Sequence, residues 1–225
     1  MKDICIIFLT LIVIFSGCAG TGTREEMSSQ ELEIHGMHEF EKEHYRASIE
    51  YFEKLRDWYP FSKYSVTAEL KIADAYYNLG EYQEALAEYE LFQKLHPSNK
   101  DIPYVIYQTG YCYFQQLNTV DRDQTSAHKA LSIFMQLKTQ FPETDYAHKT
   151  DDLIKECRKS IAGHDLYVGI FYYKSKHYKG ALGRFMSVVN NYSDIEKSMH
   201  EKALHYIDLC EKSLAKPEKR AVKQK

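Results

Sequence analysis

Cys18 is the side chain of this sequence best placed for covalent chemistry. It follows an apolar run over residues 4–15 and the small pair Ser16-Gly17. A cysteine directly after small residues suits thioether attachment of a diacylglyceryl group. The run is too short to cross a bilayer as a permanent helix, which takes about 20 apolar residues, and small residues at its end mark a segment that is removed. Residues 1–17 therefore read as a signal peptide and Cys18 as the lipidation site, with acyl chains tethering the rest of the chain to a membrane. An uncleaved N-terminal anchor is the competing reading of the same run.

Metal chemistry is the next possibility the residue types raise. His35 and His38 lie one helical turn apart, followed by Glu39 and His44, and two side chains at that spacing can share an ion. A working site needs a third ligand and a dry, shaped surround, and these residues fall on a first helix expected to be exposed. His200-Glu201 precedes His205 by a step of five, which misses the four-residue step that sets two histidines on one helical face. The sequence holds no strand-turn-helix nucleophile pattern, phosphate loop or clustered cysteine ligands, so neither catalysis, a cofactor nor a metal is expected. Beyond Cys5 and Cys18, three cysteines remain, Cys112, Cys157 and Cys210. An odd number leaves at least one thiol unpaired, and their apolar helical neighbours suit buried free thiols acting as small hydrophobes. A disulfide between two of them is the competing reading.

The net charge of −3 argues against a nucleic-acid binder driven by phosphate neutralisation. From Lys216 onward the tail carries five Lys or Arg against one Glu, the composition of a solvated end. Residues 18–225 are enough for one large domain or for an elongated repeat array with a continuous core.

Repetition decides between those two. A small residue recurs with an aromatic three before it, an aromatic four after, an apolar residue seven after and a terminator twelve after. Tyr82, Ala85, Tyr89, Phe92 and Pro97 fit this frame, as do Tyr45, Ser48, Phe52, Leu55 and Pro60. Tyr178, Ala181, Phe185, Val188 and Ser193 repeat it with Ser for the last Pro, and Ala127, Ala130, Phe134, Leu137 and Pro142 keep all but the first aromatic. Steps of three and four hold residues on one helical face, the small residue admits a close neighbour, and Pro stops the helix. Each stripe needs a partner helix upstream. The pattern predicts one over 68–78 with Leu79-Gly80-Glu81 as the turn, one over 104–116 with Gly110 at the close contact, and one ending at Tyr172-Tyr173-Lys174 with Gly169 in that place. The spacing Pro60 to Pro97 is 37 residues and Pro97 to Pro142 is 45, which puts an inserted polar loop around residues 118–123. A largely continuous helix is predicted over 145–175, with Gly163 as a kink point, and Ser193-x-x-Glu196 reads as a capping box opening a last helix that closes the array. Helix, turn, helix, repeated, is the tetratricopeptide (TPR) pattern: an all-α solenoid of four to five repeats with a C-terminal capping helix.

Three stretches narrow the resemblance. Trp58-Tyr59-Pro60-Phe61-Ser62-Lys63-Tyr64-Ser65, His96-Pro97 through Ile102-x-Tyr104-Val105-x-Tyr107-x-x-Gly110, and Val120-Asp121-Arg122-Asp123 leading to Phe141-Pro142-x-x-x-Tyr146 resemble the BamD (YfiO/ComL-like) family, TPR lipoproteins of the outer-membrane β-barrel assembly (BAM) machinery. The fourth unit departs from the family by ending in Tyr192-Ser193. The resemblance implies a non-enzymatic scaffold. Its N-terminal TPRs, residues 31–97, would receive the C-terminal strand signal of unfolded barrel proteins, with Arg46 and Tyr59 at the family's signal-contact positions. Its C-terminal TPRs, residues 98–215, would hold BamA through its last POTRA domain, with Arg184 at the family's BamA-facing position. Residues 18–30 would form a lipidated leader and 216–225 a basic tail, with other BAM lipoproteins as further partners. Ala19-Gly20 after the Cys, by resemblance to enterobacterial sorting, directs the protein to the periplasmic face of the outer membrane. An Arg pairs bidentately with a carboxylate, and aromatic faces such as Tyr77, Tyr104, Tyr107, Tyr111 and Tyr173 suit an extended peptide rich in aromatics. The plain alternative for these tyrosines is core filling, for both arginines solvated helix charges, and for Tyr59 a brace before Pro60. A secretin pilotin or a Tol-associated cell-division coordinator would share the repeats but is not expected to share the Tyr-Pro-Phe junction and the insertion.

Overall fold

The computed structural model describes residues 27–215. The signal peptide, Cys18, most of the leader and the basic tail lie outside the described residues. Within them the chain is helical throughout, with no strand. The helices are α1 (Ser29–Glu41), α2 (Tyr45–Trp58), α3 (Ser65–Asn78), α4 (Tyr82–Leu95), α5 (Ile102–Phe114), α6 (Thr125–Gln140), the short α7 (Asp145–His148), α8 (Thr150–Lys174), α9 (Tyr178–Asn191) and α10 (Lys197–Leu214). They form four antiparallel pairs, α1/α2, α3/α4, α5/α6 and α8/α9, each packed on the next, and α10 closes the series against α9 and α8. This is the TPR solenoid that the repeat frame predicts.

The frame works because each pair is built around one close contact. Phe52, Tyr89, Phe134 and Phe185 on the second helices are fully buried, and three of them press on a glycine of the first helix. A methyl group added at Gly36, Gly110 or Gly169 would lie 2.7, 2.5 or 2.6 Å from the rings of Phe52, Phe134 and Phe185. Ala73 takes the equivalent place in the second pair, 37 residues from both Gly36 and Gly110. The turns between paired helices repeat as well. Glu43, Gly80 and Lys176 hold φ of 62°, 75° and 63° two residues before the second helix, a left-handed conformation that only glycine adopts without strain.

Several boundaries differ from the periodic expectation. The helix expected over 145–175 is interrupted at Lys149. Thr144 caps the start of α7, its Oγ1 accepting from Ala147 N at 3.3 Å, and at the break the Thr150 hydroxyl donates to the Ala147 carbonyl at 2.7 Å, taking an acceptor that an unbroken helix would use. Beyond that break α8 runs through Gly163 without interruption. Gly163 is a seat, not a kink: a Cβ there would meet Val120 Cγ1 at 2.8 Å. Val120 belongs to the inserted loop, residues 115–124, which is clamped to α8. Buried Gln124 donates to the Thr119 and Arg122 carbonyls and accepts from Ser160 Oγ at 2.6 Å, while His164 Nδ1–H donates to the Val120 carbonyl at 2.8 Å. The capping box at Ser193 does not form. Arg158 grips Asp194 with both Nη atoms (2.7 and 2.8 Å) and the Asn191 carbonyl at 2.9 Å, holding the chain in a turn, so α10 starts at Lys197 with Glu196 at its N-cap. A capping box does open α1, where Ser28 and Glu31 exchange bonds.

Cys112, Cys157 and Cys210 are buried and unpaired, so no disulfide links them. Burial pushes the Cys112 and Cys157 thiols up to about 12 and also raises Cys210, leaving all three as protonated core residues.

Candidate functional site

Two surfaces of the array gather polar chemistry, each around a buried aspartate on the first helix of a pair. The first lies between α3 and α5. Asp74 is 5% exposed, and a carboxylate buried that deeply must be hydrogen-bonded to be tolerated. Tyr89 and Tyr104 donate to its Oδ1 at 2.8 and 2.7 Å, and Lys71 to its Oδ2 at 2.9 Å. Burial first, then the Asp74 charge, drives both tyrosines far above the usual phenol range, so both remain O–H donors. Above this network opens a cavity of about 400 Å³, its walls including Val66, Leu70, Lys71, Lys100, Tyr104 and Tyr146.

Its aromatic wall continues along the array. Ring centroids run from Tyr104 to Tyr146 (5.5 Å), Tyr107 (5.6 Å), Tyr111 (5.6 Å), Tyr77 (6.1 Å) and Tyr82 (5.8 Å). All six are half-buried, so they form the outer layer of the core and keep part of each ring open to solvent. Burial pushes the Tyr77 hydroxyl up to about 12. Tyr173 takes no part here; it packs on Tyr206 and Tyr178 in the C-terminal core.

The second surface lies between α8 and α9. Asp165 is 7% exposed, accepting from Arg184 Nη1 at 2.7 Å and from Ser187 Oγ at 2.8 Å. Arg184 commits only that one nitrogen to Asp165, and its side chain is 44% exposed. The rest of its donor fork faces a cavity of about 330 Å³, with His128, His164 and Tyr192 among its walls. The arrangement presents an oriented cation, held from behind, to whatever carboxylate approaches from in front.

Arg46 and Tyr59 are not brought together. Arg46 stands in the first turn of α2 and forms an ion pair with Glu81 of the next pair, while Tyr59 follows the last residue of α2 and donates to the Met27 carbonyl at 2.9 Å. Thirteen residues at 1.5 Å each separate them by about 20 Å along the helix. Glu39 engages both His38 and His44, at 3.2 and 2.8 Å, and His35 stacks on Tyr51. Among the described residues no group of three or more His, Cys, Asp or Glu is placed to hold a metal ion. Nor is any helix there long and apolar enough to cross a membrane. Sequence reasoning passed over Asp74, Lys71, Lys100 and Asp165. The one available signal was an acidic residue within otherwise apolar helical stretches, Ile72-Ala73-Asp74-Ala75 and Asp165-Leu166.

Comparison with known proteins places these surfaces in a family. The model of a family described as "YfiO: Outer membrane lipoprotein" matches residues 25–225. Three similar proteins are each named outer membrane protein assembly factor BamD. The one from Caulobacter vibrioides is 26% identical over 79% of this chain and 60% of its own, and the one from Rickettsia prowazekii 31% over 68% and 61%. The one from Neisseria gonorrhoeae is 26% identical over 97% of this chain and 87% of its own. The chain thus spans about 60% of the length of the first two relatives. With a family match that reaches from before α1 through every helix pair, the chain belongs to the YfiO family of outer membrane lipoproteins.

Proposed function

We propose that this chain is a non-enzymatic adaptor of the outer-membrane β-barrel assembly machinery, anchored through Cys18 to the periplasmic face of the outer membrane. In this reading it joins an unfolded barrel protein to BamA. The observation that carries it is the pairing of two unlike surfaces on one array: an aromatic cleft with lysines at its margin, and an exposed guanidinium fixed by a buried carboxylate. The first suits an extended segment ending in an aromatic residue and a carboxylate, because rings offer faces for apolar side chains and Lys100 offers charge beside a Lys71 already held by Asp74. The second suits an acidic residue on a folded partner, here the last POTRA domain of BamA, through Arg184. Arg46 and Tyr59 serve the substrate side by bracketing α2. A strand long enough to touch both needs about six residues at 3.3 Å each.

Pull-down from mild detergent tests the reading. Arg184→Gln should weaken co-purification with BamA while helicity by circular dichroism is unchanged, since it removes the charge without setting a second carboxylate against buried Asp165. Full retention of BamA would remove the assignment, and recovery of a secretin or of Tol components would replace it. On the substrate side, Lys100→Glu should weaken binding of a barrel-protein C-terminal peptide by about tenfold, the worth of one charge-assisted contact. An unchanged affinity would move the signal site out of the cleft.

A further inference from the structure

The junction between the first two helix pairs carries the most exposed aromatic side chain among the described residues. Phe61 is 101% exposed and Trp58, three residues earlier, is 52% exposed. Pro60 and the bond from Ser62 N to the Tyr59 carbonyl (2.9 Å) fix the turn that displays them. A bare Phe and a half-bare Trp on one rigid turn carry a solvation cost that the array itself does not relieve.

The place of this turn says what covers it. Antiparallel packing of α1 and α2 sets the start of α1 beside the end of α2, and the Tyr59 hydroxyl donates to the Met27 carbonyl at 2.9 Å. The chain therefore enters the array at this turn. Cys18 lies nine residues before Met27, and a chain of that length reaches at most about 30 Å. Lysines flank the two apolar side chains, Lys63 over the Tyr64 ring at 4.8 Å and Lys54 over the Tyr51 ring at 5.7 Å. On α2 itself, Glu53 and Asp57 lie 3.9 and 3.4 Å from Arg56. Tryptophan with neighbouring lysines is the composition that settles at the headgroup level of a bilayer. We infer that Trp58 and Phe61 are a membrane-contact wedge that dips into the phospholipid leaflet holding the acyl anchor, fixing how the array is oriented on the membrane surface. The inference rests on lipid anchoring at Cys18.

Trp58 is the only tryptophan of the chain, so its fluorescence reads this site alone. The mature, lipidated full chain is reconstituted in vesicles of phosphatidylethanolamine and phosphatidylglycerol. Trp58 emission should move to shorter wavelength and be quenched by lipids brominated high on the acyl chain. If the chain floats with the vesicles while Trp58 emission stays as in buffer, anchoring stands and the wedge is overturned. If it does not float, the anchoring reading fails. The patch is then read without the anchor: the Cys18→Ser full chain should still partition weakly onto vesicles, and adding Phe61→Ser should lower that partitioning about tenfold, the worth of one buried aromatic. Equal partitioning of the two overturns the wedge. So does a Trp58 shift produced by a barrel-protein peptide without lipid when vesicles produce none, which would make the patch a polypeptide site.

Discussion

Asp74 and Asp165 are both buried carboxylates on first helices, yet they serve opposite ends. Asp74 receives two phenols and an ammonium and gives nothing outward; its donors become a fixed platform, and of their rings Tyr89 is buried while Tyr104 lines the cleft. Asp165 receives a hydroxyl and one nitrogen of Arg184, and that partly exposed guanidinium lines the cavity beside His128, His164 and Tyr192. The difference teaches that one device, a carboxylate that must be satisfied because it is buried, builds an apolar contact surface when its donors are tyrosines. It builds a charged one when its donor is an arginine. The two are not at equivalent repeat positions, so repetition alone did not produce them.

Truncating each carboxylate tests this contrast most strongly. Asp74→Ala leaves one buried hydroxyl, one part-buried hydroxyl and a part-buried ammonium without an acceptor and should cost about 3 kcal/mol, read as a lower urea midpoint. Asp165→Ala strands only Ser187, because Arg184 turns to water, and should cost about 1 kcal/mol while lowering BamA retention. Equal costs would break the comparison. A gentler change sharpens it. Tyr104→Phe removes one of two phenols from a single Oδ1 and should cost about 1 kcal/mol, with α-helical content unchanged and binding of the barrel-protein peptide weakened. The smallest effect separates the two halves by their turns. Gly80→Ala in the second pair should destabilise by about 1 kcal/mol, and Lys176→Gly in the fourth should stabilise by slightly less, since the same left-handed backbone penalises any side chain. Thermal melts of both variants check the opposite signs.

Much of the array was legible because its causes are local. Tyr82, Ala85, Tyr89 and Phe92 share a face by the pitch of a helix, and Gly110 and Gly169 were identifiable as contact points because each stands on the helix that precedes an aromatic stripe. Gly36 carried the same signal, 37 residues before Ala73, and was passed over. Where short side-chain bonds compete with periodicity, the reading failed. Thr150 takes a carbonyl at the break in the long helix, Arg158 delays α10, and Gly163 holds Val120 where a kink was expected.

The sequence by itself determined the helix pairs, their order and the inserted loop, since 3.6 residues per turn and the stopping power of Pro act within a few residues of themselves. That Tyr89 and Tyr104 meet on Asp74, and that Arg184 leans on Asp165, was settled only when the helices packed. Those meetings join residues 15 to 30 positions apart, and they depend on how one helix is rotated and shifted against the next. That choice is made by ring-on-glycine packing and by the need to satisfy a buried charge, and no local period records it.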